Sequence, residues 1–317
     1  MWRKSIFWRV CFFYVFLLFA FNANADEASL ISALQNTYSA CVGIDANLAD
    51  LKKMAGINTA VTGVETGLGA GATIVGIVKE RTDKDIEKFE RYIKELDAAA
   101  ARQTTVPSRI DVSGSQIDEL FVGVNQQKDI NGELEKLNKK SKTLGAWRTG
   151  LLAGNTATNV AGAIIAGQNR ADGDLQSQID NCKTAISELR RARAQARVDK
   201  VDTTDANAII SACEGFESVD ISKINERAKG AMISGIVGAT TGLTGTITSG
   251  IANSDSVRDK GEGGTRTDKE KNLNIASNVL AGASTVASAT ATVFNATQIS
   301  AIKKVSDVAT KCTEALR

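Results

Sequence analysis

GAMISGIVGATTGLTGTITSGIAN, residues Gly230–Asn253, runs 24 residues without a charge or a proline. Small residues stand at Gly230, Ser234, Gly238, Gly242, Thr246 and Gly250, each four apart. Ile233, Ile236, Val237, Leu243, Ile247 and Ile251 supply the apolar weight. Apolar residues recurring at intervals of three and four predict a helix. Gly costs a helix about 1 kcal/mol relative to Ala. Several in one helix therefore imply a compensating close approach of a second backbone along a flat groove.

Three further stretches have this character. One carries Ala55, Thr59, Gly63, Gly67 and Gly71; the next Ala146, Gly150, Gly154, Thr158, Gly162 and Ala166; the last Ser284, Ser288, Thr292, Ala296 and Ser300. The expected helix-packing positions are Gly63, Gly67, Gly71, Gly150, Gly154, Gly162, Gly238, Gly242 and Gly250. These arms resemble the glycine-zipper segments of envelope and pore-forming proteins in general. The likeness covers about a third of the chain and is a packing rule without an activity attached.

The arms belong to an imperfect tandem repeat. Ser39-Ala40-Cys41 recurs as Ser211-Ala212-Cys213, and Leu152-Ala153-Gly154 as Leu280-Ala281-Gly282. In each copy a Cys-bearing amphipathic segment leads into an uncharged arm, a charged stretch, a second arm and a second Cys segment. The expected fold is all-α: two long antiparallel αα-hairpins packed as an elongated four-helix bundle. Residues 26–198 form the first hairpin repeat and 199–317 the second. The first carries an extra helical or irregular insert at about 80–140. Within it Ile86, Phe89, Ile93 and Leu96 have helical spacing and Pro107 ends that piece; Val106–Val124 stays open between extended and helical. Gly261-Glu262-Gly263-Gly264 reads as a flexible tip, and Asp205 as a helix N-cap.

Cys41, Cys182, Cys213 and Cys312 each fall on a stripe of residues spaced three and four apart, and so face another helix. Cys41 stands 15 residues before Gly56, and Cys213 stands 17 before Gly230. Cys182 and Cys312 each stand 14 after a Gln, at 168 and 298. Antiparallel hairpins would set all four at similar depth. Pairing within each copy, Cys41 with Cys182 and Cys213 with Cys312, is favoured. The rival joins Cys182 to Cys213 and Cys41 to Cys312.

The start of the chain reads as a signal peptide over residues 1–25. Arg3, Lys4 and Arg9 precede an apolar run from Val10 to Phe21, and Ala23-Asn24-Ala25 suits cleavage between Ala25 and Asp26. The 12-residue run is short of the ~20 residues that span a bilayer. Removing residues 1–25 takes three of the 38 basic residues and leaves the 36 acidic ones, moving the formal charge from +2 to −1. The basic balance then carries no argument for nucleic acid. The same segment holds nine of the 16 aromatics, leaving few rings for base stacking. An exported chain meets oxidising conditions, where paired disulfides are expected.

The chain has no His. That excludes Ser-His-Asp and Cys-His nucleophile pairs and His metal ligands. No Cys-x-x-Cys and no Walker sequence occurs. The expectation is a non-enzyme with no cofactor and no metal. The arginines at 190, 191, 193 and 197 suit a solvated helix end. Asn295-Ala296-Thr297 is a glycosylation sequon inside a predicted packed helix.

Two functional readings follow. The first is an exported structural or interaction protein of the cell envelope: periplasmic, surface-bound or secreted, associating with itself or another envelope protein. The second is a membrane-inserting or oligomerising hairpin protein. Asn155, Asn159, Asn278 and Asn295 lower the hydropathy of the arms, and Glu65 would be costly in lipid. On that balance the soluble or surface-associated bundle is preferred.

Overall fold

The computed structural model describes residues 27–103, 114–171, 173–258 and 267–317. The expected signal peptide over residues 1–25 and its expected cleavage at Ala25–Asp26, together with Pro107 and the Gly261–Gly264 stretch, lie outside these residues. The protein is all-α, and the described residues contain no strand.

Helix α1 covers residues 27–41 and α2 covers Ile44–Gln103. Between them Gly43 sits at φ 94°, a left-handed conformation that a side chain would strain. Helix α3 is Gly114–Gln168, α4 Gly173–Val198 and α5 Thr204–Cys213. A 3₁₀ turn over Glu214–Ser218 precedes α6, Ser222–Asn253. The single turn α7, Asp255–Arg258, and the long α8, Asp268–Leu316, complete the chain. From Gly114 onward the segment left open by the sequence is helical.

The start of α5 differs from the expected cap. Asp202, not Asp205, closes that end: its Oδ1 accepts from the Thr204 amide at 2.9 Å and hydroxyl at 2.7 Å. Asp205 stands inside the first turn. Asp220 does the same for α6 through the Ser222 amide. Hydrogen bonds from these Ser and Thr groups hold both carboxyls below the ordinary Asp range.

The chain divides into two compact units. Among the described residues, unit 1 comprises those within 27–58, 165–230 and 294–317, and unit 2 those within 59–164 and 231–293. Unit 1 has an apolar interior. Ile44, Leu48, Ile179, Ile186, Phe216, Ile224 and Ile302 pack together, and Leu30, Leu189 and Ile210 form a second cluster. At about 25 cal/mol per Å², burial of such side chains stabilises by about 1.5–3 kcal/mol each.

Unit 2 is built from parts of α2, α3, α6 and α8. Thr66 and Thr292 hydroxyls meet at 3.4 Å, joining α2 to α8. Thr149 and Ser249 hydroxyls meet at 2.9 Å, joining α3 to α6. The Ser277 hydroxyl of α8 donates to the Gly245 carbonyl of α6 at 3.0 Å. Ser141 of α3 donates to Asp83 of α2. Four helices thus surround one interior. The buried positions of α2 step through Thr62, Glu65, Gly69, Ala72, Gly76, Lys79 and Asp83, alternating intervals of three and four. A seven-residue period of this kind keeps one stripe facing the partner helices.

Candidate functional site

Unit 2 places apolar side chains outside. On α2, Val64, Ile74, Ile77 and Val78 are exposed. So are Val160 and Ile164 on α3, six Ile, Val and Leu residues on α6 between Ile233 and Ile251, and Ile275, Val279, Val286 and Val293 on α8. Ile74 is 61% exposed and Val286 67%. Large apolar surface concentrated on one unit needs an explanation that scattered exposed residues do not. In unit 1 the exposed large hydrophobics are Ile31, Tyr38, Ile57 and Val198 only, among the described residues.

The exposed band has a definite height. Ile233 to Ile251, and Ile275 to Val293, each span about 27 Å at 1.5 Å per residue, and Val64 to Val78 about 21 Å. A bilayer hydrocarbon core is about 30 Å thick. The band on α6 and α8 contains no charged residue, on α2 only Glu65, and on α3 only Arg148 beside the exposed Trp147. Glu65 and Arg148 are both fully buried.

Exposed hydroxyls in this band need no water. Thr240, Thr244 and Thr248 donate to the carbonyls of Ile236, Thr240 and Thr244 at 2.7–2.9 Å. Thr290 donates to the Val286 carbonyl at 2.8 Å. Such back-bonding to the preceding turn satisfies the hydroxyl within its own helix. Two helical runs, Glu27–Glu95 and Asp268–Leu316, are long and apolar enough to cross a membrane by length and composition. Only 28% and 33% of their most apolar stretches are buried; a core helix of a water-soluble bundle buries most of such a stretch.

The interior of unit 2 is polar and small. Asn155 Nδ2 donates to Ser284 Oγ at 2.7 Å, and Ser284 Oγ to the Gly238 carbonyl at 2.8 Å. Ser288 Oγ donates to Asn159 Oδ1 at 3.1 Å, and Asn159 Nδ2 to the Asn155 carbonyl at 2.8 Å. Further along, Lys79 pairs with Asp83 at 2.7 Å and approaches Glu270 at 3.9 Å. Arg148 donates to the side chain and carbonyl of Asn274, both at 3.4 Å. Buried polar groups are tolerable where partners satisfy them.

The sequence-selected glycines divide. A Cβ at Gly71 would meet Leu151 at 3.6 Å, at Gly154 Leu68 at 3.4 Å, and at Gly242 Thr156 at 2.7 Å. At Gly162 it would overlap Glu65, and at Gly238 Asn159. Around Gly63, Gly67, Gly150 and Gly250 nothing lies within 4 Å, so the close-packing role assigned to these four is corrected. Four residues turn a helix by about 400°, so a strict four-residue stripe drifts about 40° per step off any one face. The close approaches include positions the four-residue pattern omitted: Gly235 would meet the Ala163 backbone at 3.2 Å, and Gly69 the Thr285 backbone at 3.2 Å. Carrying the three-and-four spacing of the Cys stripes onward from Ala55 reaches Glu65, Gly69, Gly76 and Lys79, a signal present in the sequence. We expect Gly63→Ala to raise stability by up to about 1 kcal/mol and Gly238→Leu to lower it by about 1–3 kcal/mol or more, read by thermal unfolding in detergent. Equal effects at the two positions would contradict the seven-residue seam.

Cys41, Cys182, Cys213 and Cys312 all lie in unit 1. Cys41 bonds Cys182 and Cys213 bonds Cys312, with Cα separations of 4.8 and 4.5 Å. The sulfurs of Cys41, Cys182 and Cys312 lie within 4.8 Å of one another, so the two bonds share one level of the core. Their sulfurs are engaged in disulfides, which leaves no thiolate for a metal. Comparison with protein families, with curated proteins and with solved structures finds no match for this chain.

Proposed function

We propose that the protein is a non-enzymatic membrane protein of the cell envelope whose unit 2 hairpins span a lipid bilayer. Unit 1 is then an exported, disulfide-clasped domain. The single observation that carries this reading is the inverted polarity of unit 2. Helices α6 and α8 turn Ile, Val and Leu outward over about 27 Å and α2 over about 21 Å, with Val160 and Ile164 on α3, while Glu65, Asn155, Asn159, Ser284 and Ser288 are buried. Lipid needs an apolar exterior and leaves polar groups to pair inside the protein.

The reading reverses the preference drawn from hydropathy. Averaging along the chain charges Asn155, Asn159, Asn278 and Asn295 against insertion as if they faced lipid. Asn155, Asn159 and Asn295 are fully buried, and Asn278 is half-buried. The disulfides fit the oxidising side of an export membrane. The structural or anchoring role needs no catalytic constellation, in keeping with a chain that has no His.

The test is partition of the full-length protein, expressed with its signal peptide. After an alkaline carbonate wash it should remain in the membrane pellet, and it should float with lipid in a density gradient. Recovery in the carbonate supernatant would sink the proposal.

A further inference from the structure

Within the apolar band one ionisable group has no partner. Glu65 is 0% exposed, and neither of its carboxylate oxygens has a hydrogen-bond partner. It stands about 12 Å along α2 from Ile57 and about 20 Å from Val78, inside the charge-free zone. Gly162 of α3 packs against it so closely that a Cβ there would overlap Oε1. A side chain at position 162 would have to displace the carboxyl.

The flanking charges stand outside the charge-free zone: Lys53 is 12 residues before Glu65 on α2, Arg170 is eight residues past Gly162, and Lys229 is six residues before Gly235 on α6. Lys79 lies 14 residues further along α2, and Arg148 lies 14 residues before Gly162 on α3; each is about 21 Å away along its helix. Lys79 is engaged with Asp83 at 2.7 Å, and Arg148 with Asn274. What stands nearer is neutral oxygen chemistry. Asn159, three residues before Gly162, accepts from Ser288 through Oδ1. A bare carboxylate in a water-free interior is too costly to persist.

We propose that Glu65 is the binding site of one small positive charge, a proton or an alkali-metal cation, held inside the bundle of unit 2. The inference rests on the membrane-spanning reading. The two sources share the same chemistry, neutralisation of one carboxylate, and differ in the bond formed: O–H in one case, ionic coordination in the other. A cation would draw on the Asn and Ser oxygens of the same interior.

The test uses the full-length protein in phosphatidylcholine vesicles, as wild type and Glu65→Gln. Flotation of both is measured first; if neither floats, the spanning reading fails, and the spectra below still report on Glu65. Infrared difference spectra are then recorded at neutral pH in sodium, in potassium and in N-methylglucamine buffers. A proton gives a carboxylic-acid carbonyl band that is present in wild type and lost in Glu65→Gln in all three buffers. An alkali cation gives a carboxylate band that shifts between the alkali buffers and N-methylglucamine. A carboxylate band indifferent to the cation, or identical spectra for the two proteins, would overturn the proposal. If Glu65→Gln does not fold, Glu65→Asp serves, since it keeps the acid and moves its band.

Discussion

Arg at Ile236 and at Val286 is expected to lower the membrane partition constant more than tenfold per substitution. Ile236 is 51% exposed on α6 and Val286 67% exposed on α8. Each lies well inside the charge-free band. An Arg at the centre of a spanning helix costs insertion about 2.5–3.5 kcal/mol, where an Ile or Val favours it by about 0.3–0.6 kcal/mol. A factor of ten is about 1.4 kcal/mol. In a water-soluble bundle the same residues would face solvent, and an exposed apolar-to-charged change would shift stability by no more than about 0.5 kcal/mol. The two readings therefore predict opposite results from one pair of variants. Val198→Arg, at an exposed position of unit 1, is the control and should leave partition unchanged. Carbonate extraction and flotation measure all three. Full membrane retention of the Ile236→Arg and Val286→Arg proteins would remove the lipid-facing assignment.

Much of this arrangement was legible in the sequence, and the part that was not has a physical cause. The Cys stripes were readable because their buried residues are apolar: Leu175, Ile179, Cys182, Ile186 and Leu189 repeat at helical spacing and are buried in α4. In the arms the buried stripe changes character while keeping its phase. After Ile44, Leu48 and Ala55, the next buried positions of α2 are Asn58, Thr62 and Glu65. On α8, Asn295 and Gln298 give way to Ile302 and Val305. A rule that equates inside with apolar fails at those crossings. Glycine spacing then became the remaining guide, and a four-residue step selected Gly63 and Gly67, which open outward, over Gly69 and Gly76, which face Thr285 and Asn278. Average hydropathy counts the asparagines of the uncharged arms against insertion, because averaging discards direction. Direction is what separates Asn155, buried, from Val160, exposed on the same helix.

The second large effect concerns the disulfide layer. Removing one bond as a pair, Cys41→Ser with Cys182→Ser, is expected to lower the stability of unit 1 by about 4–5 kcal/mol, the chain-entropy value for loops of this length. The bond closes a separation of 141 residues, and Cys213–Cys312 closes 99. Calorimetric unfolding of the protein in detergent reads the loss as a fall in midpoint. The single change Cys41→Ser should behave differently. It frees the Cys182 thiol within 4.8 Å of the Cys312 sulfur. Attack of the Cys182 thiolate on Cys312 forms a Cys182–Cys312 bond and releases Cys213 as the thiolate, with no oxidant consumed. Both sulfurs are buried in one apolar cluster, which slows deprotonation, so exchange should accelerate under alkaline or mildly denaturing conditions. Digestion without reduction, followed by mass spectrometry, should find Cys182 joined to Cys312 and Cys213 free. Retention of Cys213–Cys312 with a permanently free Cys182 after such treatment would show that the shared layer of sulfurs does not permit exchange.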